Sequence, residues 1–169
     1  LLLRTERYQL AMESFEEART YYPNLLSAPL AEIAHEMSKC YHSMGSNELA
    51  YDAALESLQL RKSLGDEVGI MRSHYQIGNI LFYLGTYDMA LETYHKAYQL
   101  AKELNNEKYL YNTTEALGST YSRMSANVES LKYNQQAYDL ARKLNYLSGI
   151  AYSAHNLGSN YLTEDDYEN

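Results

Sequence analysis

The amino-acid sequence predicts an all-α solenoid built from antiparallel helix pairs, and three observations carry that expectation. The chain echoes itself every forty residues: "LGSTY" at Leu117–Tyr121 returns as "LGSNY" at Leu157–Tyr161. In the same step Ser38, Gly78, Gly118 and Gly158 are all small, while Tyr41, Leu81, Tyr121 and Tyr161 are all large. Periods of this length mark stacked units, each burying a face that its neighbour completes. Inside a period the apolar residues follow the four–three step of one helix face, and no useful stretch alternates as a strand would. Finally, the only prolines in 169 residues are Pro23 and Pro29, so everything after them lacks a strong helix breaker.

The elements follow in order. Tyr8, Ala11, Phe15 and Ala18 share a face and place a first helix over 7–22. The second, over 30–44, carries Met37, Ser38 and Tyr41, and the third, over 47–64, ends on Leu60 and Leu64 ahead of Gly65. Ile77, Leu81 and Leu84 set a fourth helix over 69–84, which stops at the glycine of "LGTYD". Ala90, Tyr94, Ala97 and Ala101 set a fifth over 87–104, which stops in "LNNEK". The sixth and seventh, over 108–124 and 127–144, repeat that pair, and "LGSNY" sits in an eighth over 148–163. Gly65, Asn105 and Asn145 follow the last leucine of their helices, and glycine and asparagine best tolerate the left-handed conformation that ends a helix. The acidic "TEDDYEN" at the end is expected as an exposed turn and helix start, where carboxylates suit the helix dipole.

A glycine inside a helix costs roughly 1 kcal/mol relative to alanine, so three in register imply a close approach of helix axes. Ala90, Ala97 and Ala137 are the expected facing surface, with Tyr94, Leu81 and Tyr121 filling the space beside them. Tyr133, Tyr138 and Tyr161 are likewise expected to pack. The organisation expected is one array over 1–169: a partial repeat 1–29, repeats 30–69, 70–109 and 110–149, and a partial repeat 150–169. The chain opens just ahead of a second helix and stops at Tyr167, which matches Tyr87, with no polar capping helix at either end. Those features suggest a fragment of a longer array, since the faces of Leu157 and Tyr161 would otherwise be left wet, and they leave room for self-association through the uncapped ends.

The pattern Tyr87-x-x-Ala90-x-x-x-Tyr94-x-x-Ala97, preceded by Gly78, Leu81 and Gly85, resembles a tetratricopeptide repeat, and "RYQLAMESFEEA" repeats its second half. The period of 40 rather than 34 resembles the repeats of kinesin light chains, Leu-Gly-Asn-repeat polarity regulators and bacterial Rap-type regulators. The first complete repeat departs at Ala54 and Ser57, and the third at Ser125, Ser130 and Asn134. The resemblance implies a right-handed superhelix whose first helices line a concave groove that receives a protein or peptide.

Transferred to this chain, the groove positions hold His35, Lys39 and His42 on one first helix, and Arg72, Tyr75, Gln76, Asn79 and Tyr83 on the next. Glu115, Ser119 and Arg123 follow, then Tyr152, His155, Asn156 and Ser159. Tyrosine, histidine, asparagine and arginine combine apolar bodies with polar tips, a mixture suited to binding surfaces. The function expected is therefore a protein- or peptide-binding scaffold. The alternative is a ligand- or peptide-sensing segment of a larger signalling protein with a separate output domain. A carboxylate clamp of the chaperone-binding kind is not expected, because its basic donors are missing where His35, Tyr75, Glu115 and His155 stand.

Other classes are set aside on composition. A net charge of −8 argues against nucleic acid as a partner, and no apolar run approaches the length of a membrane span. No phosphate loop, paired catalytic carboxylates or nucleophile arrangement is present, so neither enzyme activity nor a cofactor is expected. His35 and His42 stand two turns apart, about 10 Å along the axis, too far for one metal ion. Cys40 stands alone and is expected as a packed, inert thiol. Without a targeting signal, a cytoplasmic location is the expectation.

Overall fold

The computed structural model describes residues 2–21 and 27–165, with side chains over 6–21 and 27–162. Its helices are α1 (Leu2–Thr20), α2 (Ala28–Ser43), α3 (Asn47–Leu64), α4 (Glu67–Tyr83), α5 (Tyr87–Glu103), α6 (Glu107–Arg123), α7 (Asn127–Lys143) and α8 (Leu147–Asp165). No strand occurs among the described residues. Helix α1 begins at Leu2 rather than near 7, and α8 runs through Glu164 and Asp165. The first part of "TEDDYEN" thus continues a helix instead of forming a turn; Asp166 onward lies outside the described residues.

Left-handed residues punctuate the chain at Gly45, Gly65, Gly85, Asn105, Ser125 and Asn145, one every twenty positions, with φ between 51° and 80°. Glycine adopts this conformation without a Cβ penalty and asparagine tolerates it, whereas Ser125 at φ 57° carries the strain of an L side chain. Five helix ends are closed by the backbone: the N–H groups of Ser46, Asp66, Asn106, Ala126 and Tyr146 donate to carbonyls five residues back, at 2.8–3.0 Å. Those bonds satisfy carbonyls that a terminating helix leaves open. At the other ends the side chains of Ser27, Asp66 and Asn106 accept from the N–H groups of Leu30, Gly69 and Tyr109.

The chain falls into two compact units, Leu1–Gly85 and Thr86–Asn169. In the first, α3 packs against α2 and α4, while α1 and α4 also touch α2. In the second, α6 packs against α5 and α7, α7 against α8, and α6 touches α8. Each unit holds a core of small residues beside a few large ones. Ala31, Ala34, Met37, Ala50, Ala54, Met71, Ile77 and Ile80 are buried in the first, and Ala90, Tyr94, Ala97, Leu117, Ala137 and Ala141 in the second.

The three in-register glycines do not share one environment. Gly78 and Gly118 are buried. A Cβ on Gly118 would overlap Oδ1 of Asn134 and come within 3.2 Å of its backbone nitrogen. The side chain nearest to it is that of Asn134, and Ala137, expected on the facing surface, is fully buried on the same helix. Gly158 is exposed, and a Cβ there would meet nothing within 4 Å. On the same helix Leu157 is buried, whereas Tyr161, expected to pack, is 53% exposed. Tyr121, by contrast, stacks on Tyr133 at 5.5 Å with planes 9° apart.

Several departures from the repeat pattern are hydrogen-bonding positions. Ser38, in the glycine column, donates to the carbonyl of Ala50 at 2.8 Å, and Ser57 donates to that of Ala31 at 2.8 Å. In the second unit Ser130 donates to the carbonyl of Gly118 at 3.1 Å. The Asn134 amide donates to Ser130 and to Asn160 Oδ1, at 3.2 and 2.7 Å, and Asn160 donates back to Ser130 at 2.9 Å. These buried groups tie α6, α7 and α8 together where apolar contacts would otherwise serve.

Candidate ligand-binding face

In the first unit the residues expected to form a groove lie along α2 and α4. At one end Glu32 takes two bonds from Arg72, at 2.7 and 3.1 Å, and one from Arg61 at 2.5 Å. Arg61 reaches this carboxylate from α3 while remaining 1% exposed, and also donates to the carbonyl of Gly69 at 3.0 Å and to Ser73 at 2.9 Å. Gly69 makes the space: a Cβ there would lie 2.5 Å from Arg61 Cδ. Although burial opposes it, the bond from Arg72 and the charges of Arg72 and Arg61 hold the Glu32 carboxyl below the usual range. Burial likewise lowers the Arg61 guanidinium, and the charge of Arg72 adds to that effect.

Of the other groove residues here, His35 and Gln76 are buried, so they contribute to packing rather than to an open surface. His35 Nδ1 and Gln76 Nε2 have no hydrogen-bond partner among the described residues. Lys39 is exposed and pairs with Glu36 at 2.8 Å. His42 Nδ1 lies 2.9 Å from Asn47 Oδ1, and its ring meets Tyr83 edge-on at 4.8 Å. Arg72, Tyr75 and Asn79 are half-buried, and Tyr83 is 68% exposed.

His35 carries a testable consequence. Burial, then the charges of Arg61 and Arg72, push its pKa from 6.5 down to about 3. The unfolded chain therefore takes up the proton first, and acid favours unfolding from about pH 6.5 downward. His35→Leu is expected to lose less stability than the parent chain as the pH falls from 6.5 toward 4.5. Urea unfolding across that range measures it; parallel curves for the two proteins would refute the assignment.

In the second unit the corresponding residues lie on α6 and α8. Glu115 is half-buried and accepts from the Ser119 hydroxyl at 2.9 Å. Burial raises its carboxyl above the usual range, partly offset by hydrogen bonds from Ser119 and Tyr152. Arg123, His155 and Ser159 are exposed, Asn156 is half-buried and Tyr152 is 51% exposed. Nearby, Lys108, Tyr111, Asn112, Leu144 and Tyr146 line a cavity of about 360 Å³. Its wall is the edge-on pair Tyr111–Tyr146 at 5.3 Å, and Gly149 leaves room for it, since a Cβ there would sit 3.0 Å from Tyr111 Cζ.

Cys40 is half-buried, and burial followed by the charge of Glu36 raises its thiol above the ordinary value. That shift keeps it protonated and poorly nucleophilic. Among the described residues no three His, Cys, Asp or Glu side chains gather as a metal site would need, and no helix is long and apolar enough to cross a membrane. The Arg61 cluster was not anticipated. Its signal was in the forty-residue columns, where Arg61 stands with Ala101 and Ala141 and Gly69 stands with Tyr109 and Gly149.

Residues 69–143 match the tetratricopeptide repeat family. The same helix-pair fold extends over nearly the whole chain, as solved structures show. BtubC (BKLC) from P. vanneervenii superposes with a TM-score of 0.86 at 17% identity, over 96% of this chain and 68% of that one. The apo form of RapI gives 0.87 at 18% identity, over 98% of this chain and 61% of RapI. A Rap protein complexed with competence and sporulation factor gives 0.78 at 14% identity, over 98% of this chain and 46% of that protein. The chain thus spans less than two thirds of either Rap structure. No curated protein sequence matches it.

Proposed function

We propose that the chain is a scaffold module that binds a protein or peptide along the faces of its first-type helices. The observation that carries this reading is the face itself. In the first unit Tyr83 leaves a large ring exposed on the helix that carries half-buried Arg72, Tyr75 and Asn79; in the second Tyr152 does so on the helix that carries half-buried Asn156. Such side chains bring apolar area and directional hydrogen bonds at little cost in flexibility, because helices fix their origins. A Rap protein of the same fold holds competence and sporulation factor, which supports a ligand of this kind. That same likeness favours the second reading, a sensor segment within a larger signalling protein.

Peptides selected on the full chain from a random-sequence display library provide the test. Tyr75→Ala combined with Asn79→Ala is expected to weaken the selected peptides by roughly tenfold or more, with the helical circular-dichroism signal unchanged. Calorimetry showing equal affinity for parent and variant would remove the face of α4 from the proposal.

A further inference from the structure

We propose that Glu115 is the acidic subsite of the α6–α8 face, taking the guanidinium or ammonium group of an arginine or lysine side chain in the ligand. This inference rests on the reading of that face as ligand-binding. The other half-buried carboxylates of the described residues are matched by cations: Glu32 with Arg61 and Arg72, Glu36 with Lys39, Glu56 with Arg19 and Glu107 with Lys143. Glu115 differs. Among the described residues no lysine, arginine or histidine forms an ion pair with it, and its partners are the neutral hydroxyls of Ser119 and Tyr152.

A carboxylate withdrawn from water without a counter-charge is costly, so the fold by itself gains nothing from keeping one there. The Glu115 column supplies no explanation either, since forty residues either side stand Tyr75 and His155. What the position does provide is a recognition geometry. A carboxylate supplies two acceptor oxygens for a planar guanidinium. Beside it the half-exposed ring of Tyr152 offers a face on which a cation stacks. The net charge of −8 draws cationic ligands toward the protein as a whole. Binding a cation would supply the missing counter-charge, and the energy stored in the uncompensated carboxylate would become binding energy.

The experiment uses N-acetyl-arginine amide as probe and N-acetyl-citrulline amide as its uncharged isostere, titrated into the full chain and followed by amide NMR. The arginine probe is expected to shift the Ser119 and Tyr152 signals saturably by about 10 mM, with citrulline at least about tenfold weaker. Glu115→Gln keeps the shape and should abolish the preference while unfolding at a higher urea concentration than the parent, because the uncompensated charge is gone. Equal response to both probes, no response to either, or an unchanged preference in Glu115→Gln would each overturn the assignment. Display selection separates this failure from failure of the broader reading. Peptides recovered without enrichment in arginine or lysine would sink the subsite alone, whereas recovery of no peptide would sink the scaffold reading with it.

Discussion

Arg61→Ala is expected to destabilise the first unit by about 3–5 kcal/mol, although alanine is what the next two repeats carry in that column. The side chain is almost wholly buried and joins three helices: it belongs to α3, donates to Gly69 and Ser73 on α4, and pairs with Glu32 on α2. Truncation leaves a void beside Gly69, strips the Ser73 hydroxyl and the Gly69 carbonyl of a donor, and leaves Glu32 to Arg72 alone. Arg61→Met fills the space without the charge and should recover part of the loss, so the two variants separate volume from hydrogen bonding. Urea unfolding of the full chain is the measurement. A change for Arg61→Ala within about 0.5 kcal/mol, the range of an ordinary surface substitution, would show that the cluster does not hold the unit together.

The second prediction concerns one substitution at two equivalent sites. Gly118→Ala should destabilise by about 2 kcal/mol, whereas Gly158→Ala should stabilise by up to about 1 kcal/mol. Alanine favours the helix in both cases. At Gly118 the new methyl would displace Asn134, whose amide holds Ser130 and Asn160 in a buried network, and a stranded buried polar group outweighs the gain in propensity. At Gly158 the methyl enters open space, so propensity acts unopposed. Thermal unfolding of both variants should give melting temperatures displaced in opposite directions. Displacement in the same direction would mean that close approach at Gly118 does not set the sign.

Helices and turns were legible in the sequence because their causes are local. A four–three apolar step and a glycine or asparagine after the last leucine act within a few residues, and the structure shows Gly65, Asn105 and Asn145 at positive φ. Comparison between repeats then became misleading where one repeat solves its packing differently. Arg61 is the oddity in its column while Gly69 shares its column with Tyr109 and Gly149, and the large residue fits because the small one faces it. A pattern built on resemblance treats both as noise. Gly158 shows the opposite limit: its column implied burial, yet burial depends on what another element places against α8. The groove stripe was transferred whole, but side chains at two of its positions, His35 and Gln76, are covered. The exceptional character of Glu115 was equally invisible, since a missing counter-charge can only be seen once neighbours from other helices are in place.

The left-handed residue at every twentieth position has a consequence for how the chain comes into being. Every stop signal lies next to the helix that it ends, and the contacts within each unit join helices near in order. A polypeptide emerging from the ribosome can therefore close one hairpin before the next has been synthesised, with no strand awaiting a partner from the distant end. Assembly can advance by accretion, and little apolar surface stands open to aggregation while translation continues.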